Sequence, residues 1–233
     1  MSSTVADIHW PLQVPEQTEY SVKDFVSLPA SGLLHSACSS GDTGLVKALI
    51  KHVDINELDE NELTPLSVAI RDEQMEIAKT LIEAGADPNV GGGTNGSPLH
   101  MAVVKGSLLI TDMLIKRGAE VNVVDSDGNT PLHFVMNVFT KRDIKYKAIA
   151  ESLVMSGARP NSRNKELWAP LHIAARKGQL EAIKWAKMVN PILSELSMEP
   201  FDFNLGGGAQ KWTLLHLSSC SGHYKVVEEI LDW

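Results

Sequence analysis

The sequence predicts an all-α solenoid of about six stacked helix–turn–helix units, and three observations carry that reading. A short signature recurs six times: GLLHSA (32–37), TPLSVA (64–69), SPLHMA (97–102), TPLHFV (130–135), APLHIA (169–174) and TLLHLS (213–218). Its fourth residues, His35, Ser67, His100, His133, His172 and His216, are spaced by 32, 33, 33, 39 and 44. A period near 33 marks an array of repeated units. Finally, apolar helical stretches such as IAKTLIEA and ITDMLIKR run into GADPN (85–89), GAEVN (118–122) and GARPN (157–161). Gly85, Gly118 and Gly157 fall where a helix ends, because glycine takes the left-handed conformation without a Cβ clash.

Each unit can be read in order. The Thr of Thr-Pro is an N-cap, and the Pro sits at the first helical position, where it loses no hydrogen bond. A second helix follows, then the Gly-Ala terminus and a loop. These motifs resemble the ankyrin repeat over residues 31 to 233. The resemblance implies two short antiparallel helices per unit and a β-hairpin-like finger. No unit has enough apolar surface to fold alone, so neighbours must stack. The repeats fall near 31–62, 63–95, 96–128, 129–167, 168–211 and 212–233, the last truncated. Residues 1–30 do not fit the period and read as a capping or extended segment.

The departures are specific. The first unit has Gly32-Leu33 in place of Thr-Pro, and Ser67 replaces the second histidine. The fourth unit carries 6 extra residues before its Gly-Ala, and the fifth lacks a Gly-Ala terminus and is 10 residues longer at Asn204. The sixth ends at Trp233, before its helix-ending glycine, which predicts a longer parent protein.

With 233 residues and 43% hydrophobic content, the chain can bury a sizeable core spread along a solenoid. No 18-residue apolar run predicts a membrane span, and the first residues show no secretory pattern. Cys38 and Cys220 belong to the first and sixth units, and at roughly 8–10 Å per packed helix they cannot pair. A reducing compartment, cytoplasmic or nuclear, is expected.

No catalytic, cofactor or metal site is expected. The signature histidines come one per unit, whereas zinc needs its ligand nitrogens about 2.0–2.1 Å from one centre. In ankyrin-like proteins this histidine resembles a structural group that ties neighbouring loops by hydrogen bonds. Asp125 and Asp127 lie in a finger where turn-forming residues belong. The glycine-rich NVGGGTNGS (89–97) and NLGGGAQK (204–211) do not match a phosphate loop and read as flexible finger tips. LIKRGAEVN resembles the surroundings of ankyrin-repeat asparagines that a hydroxylase modifies, although a loop asparagine holding the finger explains Asn122 more simply.

What remains is a protein partner. The net charge is −8, yet residues 141–187 hold 11 Lys or Arg against 4 Asp or Glu. Such a basic block suits a partner with an acidic segment, or else solvates one face. Neither nucleic acid nor a small-molecule substrate is expected. The resemblance to ankyrin repeats implies that the residue before each N-cap, including Leu63, Trp168 and Trp212, faces outward from its finger. The residue after the histidine, including Met101, Phe134 and Ile173, should line the concave side. With Arg163 and Lys165 beside Trp168, these are the candidate partner-binding residues; the long fifth-unit insertion, with Phe201 and Phe203, is the alternative cover for the two tryptophans. The reading is an interaction scaffold or adaptor, or a regulatory ankyrin domain of a larger enzyme or membrane protein.

Histidines distributed one per unit cannot share an ion. Adding a chelator should therefore leave the thermal unfolding midpoint unchanged, and a drop of several degrees would contradict their structural role.

Overall fold

A computed structural model describes residues 32–93, 96–140 and 144–232. The expected segment 1–30, with Lys141 and Arg142 of the basic block, lies outside the described residues. Twelve helices form six antiparallel pairs among the described residues. The inner helices are α1 (Leu33–Ser40), α3 (Pro65–Arg71), α5 (Pro98–Val104), α7 (Pro131–Val138), α9 (Pro170–Lys177) and α11 (Leu214–Cys220). The outer ones are α2 (Thr43–Leu49), α4 (Met75–Glu83), α6 (Leu108–Lys116), α8 (Ile144–Met155), α10 (Leu180–Glu195) and α12 (Tyr224–Leu231). Each inner helix packs on the next inner helix, and each pair closes on itself. One core runs the length of the stack, with Leu66, Leu99, Leu132, Leu171 and Leu214 of the inner helices all buried.

Local chemistry sets the helix limits. Thr64 and Ser97 cap α3 and α5 by accepting from the backbone N–H groups of Ser67 and His100. The three Gly-Ala ends form the same motif: in the first, Gly85 N–H donates to Ile82 and Ala86 N–H to Leu81. Gly85, Gly118 and Gly157 hold φ of 96°, 88° and 91°. The fifth unit keeps this geometry without the glycine. Ser197 stands at φ 57°, its N–H donates to Ser194, and Met198 N–H donates to Leu193. The sequence pattern was lost there, but the turn was not.

The extra residues of the fifth unit lengthen α10 to 16 residues, with Pro191 inside it. Asn190, buried, accepts from Phe201 N–H and donates to the Phe201 carbonyl at 2.8 and 2.9 Å. That clamp buries Phe201 against Trp185, with ring centroids 5.5 Å apart. The insertion therefore packs Phe201 onto its own helix.

A left-handed serine carries a steric penalty that glycine avoids. Ser197→Gly should raise stability by on the order of 0.5–1 kcal/mol, read as a higher midpoint in chemical denaturation; an unchanged or lower midpoint would show that the turn is not strained.

Candidate interaction surface

The fingers are built by short polar side chains acting on their own backbone. Asp59, Asp125 and Asn164 each accept, through one Oδ1, two backbone N–H groups across the turn. Asp125 and Asp127 thus serve the turn, as the sequence suggests. Isolated antiparallel bridges, Leu63 with Gly92 and Gly207 with Trp212, are the β-like content of the fingers among the described residues.

The signature histidines fasten the fingers of the units that follow them. His100 and His133 donate from Nε2 to the Asn129 and Trp168 carbonyls, each at 2.9 Å, and His172 donates to Leu205 at 2.8 Å. Their Nδ1 atoms accept the backbone N–H of Ser97, Thr130 and Ala169. An accepting Nδ1 places the proton on Nε2, so each ring is neutral and engaged at both nitrogens. Burial pushes all three below the usual imidazole value of 6.5, against the raising effect of the carbonyl bonds. His35 reaches the Leu63 carbonyl at 2.9 Å, but its buried Nδ1 has no partner among the described residues. There the N-cap is Gly32 at φ 84°, where Thr64, Ser97, Thr130 and Ala169 are extended.

A second ladder uses asparagine. Asn89 and Asn122 donate to the Gly118 and Gly157 carbonyls and accept from the N–H groups of Glu120 and Arg159 in the following unit. Asn122 holds the loop of the next repeat. Asn161 binds the Pro200 carbonyl and Asp202 N–H in the same way, so the insertion returns to the repeat pattern at Pro200.

The described glycines of both glycine-rich stretches pack closely against the preceding finger. A Cβ on Gly207 would meet His172 Nε2 at 2.7 Å and the Trp168 ring at 2.8 Å. A Cβ on Gly91 would meet Thr64 N at 2.7 Å. Ser67, shorter than the histidine it replaces, still reaches the Gly91 carbonyl, because the glycines let the backbone come closer.

The predicted partner-binding residues separate into two groups. Met101 and Phe134 line one groove between fingers and inner helices, and Phe134, Ile173 and Lys165 line the next, about 380 Å³. Phe134 and Ile173 are half-buried, and the Phe134 ring meets His100 edge-on at 5.5 Å. Met101 is mostly buried, at 6% exposure. Leu63 does not face outward as expected. It is 4% exposed, because the third finger's glycines bridge to it and close over it. Trp168 and Trp212 are half-buried against the core, and the Trp168 ring lies beneath Gly207 and Gly208. Arg163 and Lys165 are exposed.

The grooves also contain residues outside the candidate partner-binding set, although Arg176 and Lys177 belong to the basic block of residues 141–187. Arg71, Val104, Asn137 and Arg176 stand four positions after Ser67 or a signature histidine, and Lys105 and Lys177 stand five after. Helical spacing was the available signal, since positions three and four beyond Met101 or Ile173 share its face. Arg71 pairs with Asp72 at 2.8 Å and Lys105 with Glu73 at 2.9 Å. Arg176 and Lys177 form no ion pair among the described residues, so the positive end of the surface lies at the fourth and fifth units.

Stacked helix pairs, fingers tied by buried histidines and a groove between them define an ankyrin-repeat array. Family models described as "Ankyrin repeats (3 copies)" match residues 29–92 and 140–233, and one described as "Ankyrin repeats (many copies)" matches 99–136. The chain belongs to the ankyrin-repeat family, whose repeats generally mediate protein–protein interaction. Protein phosphatase 1 regulatory subunit 27 of Mus musculus is 47% identical over 60 residues, covering 24% of this chain and 39% of that protein. The chain thus spans well under half the length of this relative. Cys38 is buried, which pushes its thiol up to about 12, and Cys220 is exposed; both are free. Among the described residues no helix is long and apolar enough to cross a membrane.

The lowered histidines fix a pH dependence. The unfolded chain takes up protons near 6.5, whereas folded His100, His133 and His172 do so only at lower pH. Their contribution is complete above 6.5 and is lost as the pH falls below it. The thermal midpoint should therefore fall as the pH drops from about 7.5 to about 5, before most carboxylates titrate. A midpoint that stays flat over that window would contradict the neutral, buried assignment.

Proposed function

We propose that this chain is a scaffold or adaptor that holds a partner protein along its concave face, between the inner helices and the fingers. One observation carries the reading: Met101, Phe134 and Ile173 stand on three successive inner helices and give continuous grooves an apolar floor. Half-buried apolar anchors ringed by polar groups are the usual makeup of an interaction surface. Lys165, Arg176 and Lys177 border the floor at the fourth and fifth units, against Asp127 and Glu166. This favours a partner segment with acidic residues beside its apolar contacts. Arg163 is exposed nearby in the sequence, Trp168 offers only the part of its ring that Gly207 and Gly208 leave open, and Trp212 is half-buried. The regulatory-subunit designation of the mouse relative supports a binding role without catalysis.

Arg176→Glu with Lys177→Glu tests this surface, because both side chains are exposed and their replacement should barely move the thermal midpoint. Partners captured from cell lysate by the unaltered array, and identified by mass spectrometry, should be recovered about tenfold less by the variant. Association of a captured partner should also slow with added salt. Undiminished capture by a folded variant would place the binding surface elsewhere.

A further inference from the structure

The outer layer has a break. Successive outer helices pack on one another from α2 to α8 and again from α10 to α12, but the backbones of α8 and α10 stand farther apart. Both are the helices that the insertions lengthened, to 12 and 16 residues. Trp185 fills the depth of the gap between Phe139 and Phe201, each ring 5.5 Å away, and its Nε1 reaches Glu151 at 3.4 Å. Above this plug a cleft of about 250 Å³ stays open, lined by Phe139, Ile144, Lys147, Lys184, Trp185 and Met188 among others. Ile144 is 78% exposed and Met188 56% exposed.

The apolar surface continues beyond the cleft. Met188, Ile192 and Leu196 follow one another at spacings of four, and all three are exposed. Residues four apart share a helix face, so they form a stripe along α10 and past its end. Single exposed apolar residues are ordinary on a protein surface, but a contiguous stripe leading into a cleft marks an interaction site. The cleft is smaller than pockets that hold free ligands, about 300–1,000 Å³, and suits a side chain projecting from a partner.

Charge narrows the occupant. Lys147 and Lys184 flank the cleft against one acid, Glu181. Their own ion pairs, to Glu151 and Glu229, are both 3.9 Å long, and both lysines are substantially exposed. Pairs of that kind contribute little and exchange readily for a partner carboxylate. Five of the eight residues that line the cleft belong to residues 141–187, the basic stretch of an otherwise acidic chain.

We infer that the α8–α10 cleft and the α10 stripe bind an acidic amphipathic helix of a partner protein, on the layer opposite the concave grooves. An apolar side chain of that helix enters between Ile144 and Met188, its apolar face follows Ile192 and Leu196, and its carboxylates meet Lys147 and Lys184. The array then holds two partners at once, one on each layer.

The probe is a fluorescein-labelled peptide of about 18 residues, with Leu on one helical face and Glu on the other, beside a counterpart carrying Lys for Glu. Fluorescence anisotropy should show the Glu peptide binding the chain at least about tenfold more tightly than the Lys peptide. Ile144→Glu with Met188→Glu, and separately Lys147→Glu with Lys184→Glu, should each weaken it about tenfold or more at an unchanged thermal midpoint. Arg176→Glu with Lys177→Glu should leave it unchanged, so failure of the concave-face reading and failure of this one are told apart. Equal binding of the two peptides, or binding that survives both outer-layer variants, overturns the inference. So does sedimentation showing that the unaltered chain self-associates through this stripe and that Ile144→Glu with Met188→Glu makes it monomeric, because the occupant is then a second copy.

Discussion

The structure depends on a hydrogen bond that no unit can make alone. Each finger presents a backbone carbonyl to the unit before it, and an imidazole from that unit, or the Ser67 hydroxyl at the third finger, supplies the donor. A buried carbonyl left without a donor costs about 1–3 kcal/mol, so the bond enforces stacking at a fixed spacing. The other imidazole nitrogen takes the N–H of its own N-cap, which ties the start of the inner helix to the same contact. Burial keeps these rings neutral, and neutrality lets one nitrogen donate while the other accepts. The asparagine ladder repeats the logic at the opposite end of the loop, where Asn89, Asn122 and Asn161 each hold the following unit.

That constraint decides where the chain varies. The inner helices keep 7 or 8 residues in every unit, because their N-caps, histidines and fingers must stay aligned. Extra residues are pushed into the outer layer, where α8 and α10 lengthen and separate. Trp185, Phe139 and Phe201 fill the resulting gap, so the insertions bring their own core. The fingers adjust by the opposite means. Where Ser67 is too short or Trp168 too large, glycines in the next finger move the backbone closer or leave room for the ring.

The two layers consequently have different characters. The inner layer presents grooves whose floor repeats from unit to unit, with charge concentrated at the fourth and fifth. The outer layer is regular except at one seam, along which Ile144, Met188, Ile192 and Leu196 are exposed. Both surfaces draw on the same basic stretch of the sequence, yet they look in different directions.

Much of this was written in the sequence. The period of the signature fixed the helix pairs, because an N-cap, a proline and a histidine at constant offsets leave one way to start a helix. Met101, Phe134 and Ile173 line the grooves, and helical periodicity alone assigns their face, whereas Val68 and Leu217 at the same position of their units are buried. Other features depended on distant residues. Leu63 is buried because a finger some 30 positions along the chain closes over it. Ser197 shapes a turn that its neighbours, not its identity, impose. The partial cover of Trp168 is Gly207 and Gly208 of the following finger. The seam between α8 and α10 likewise depends on how two lengthened helices pack. Local spacing determined the elements and their faces; which of those faces meets solvent was settled only when the units stacked.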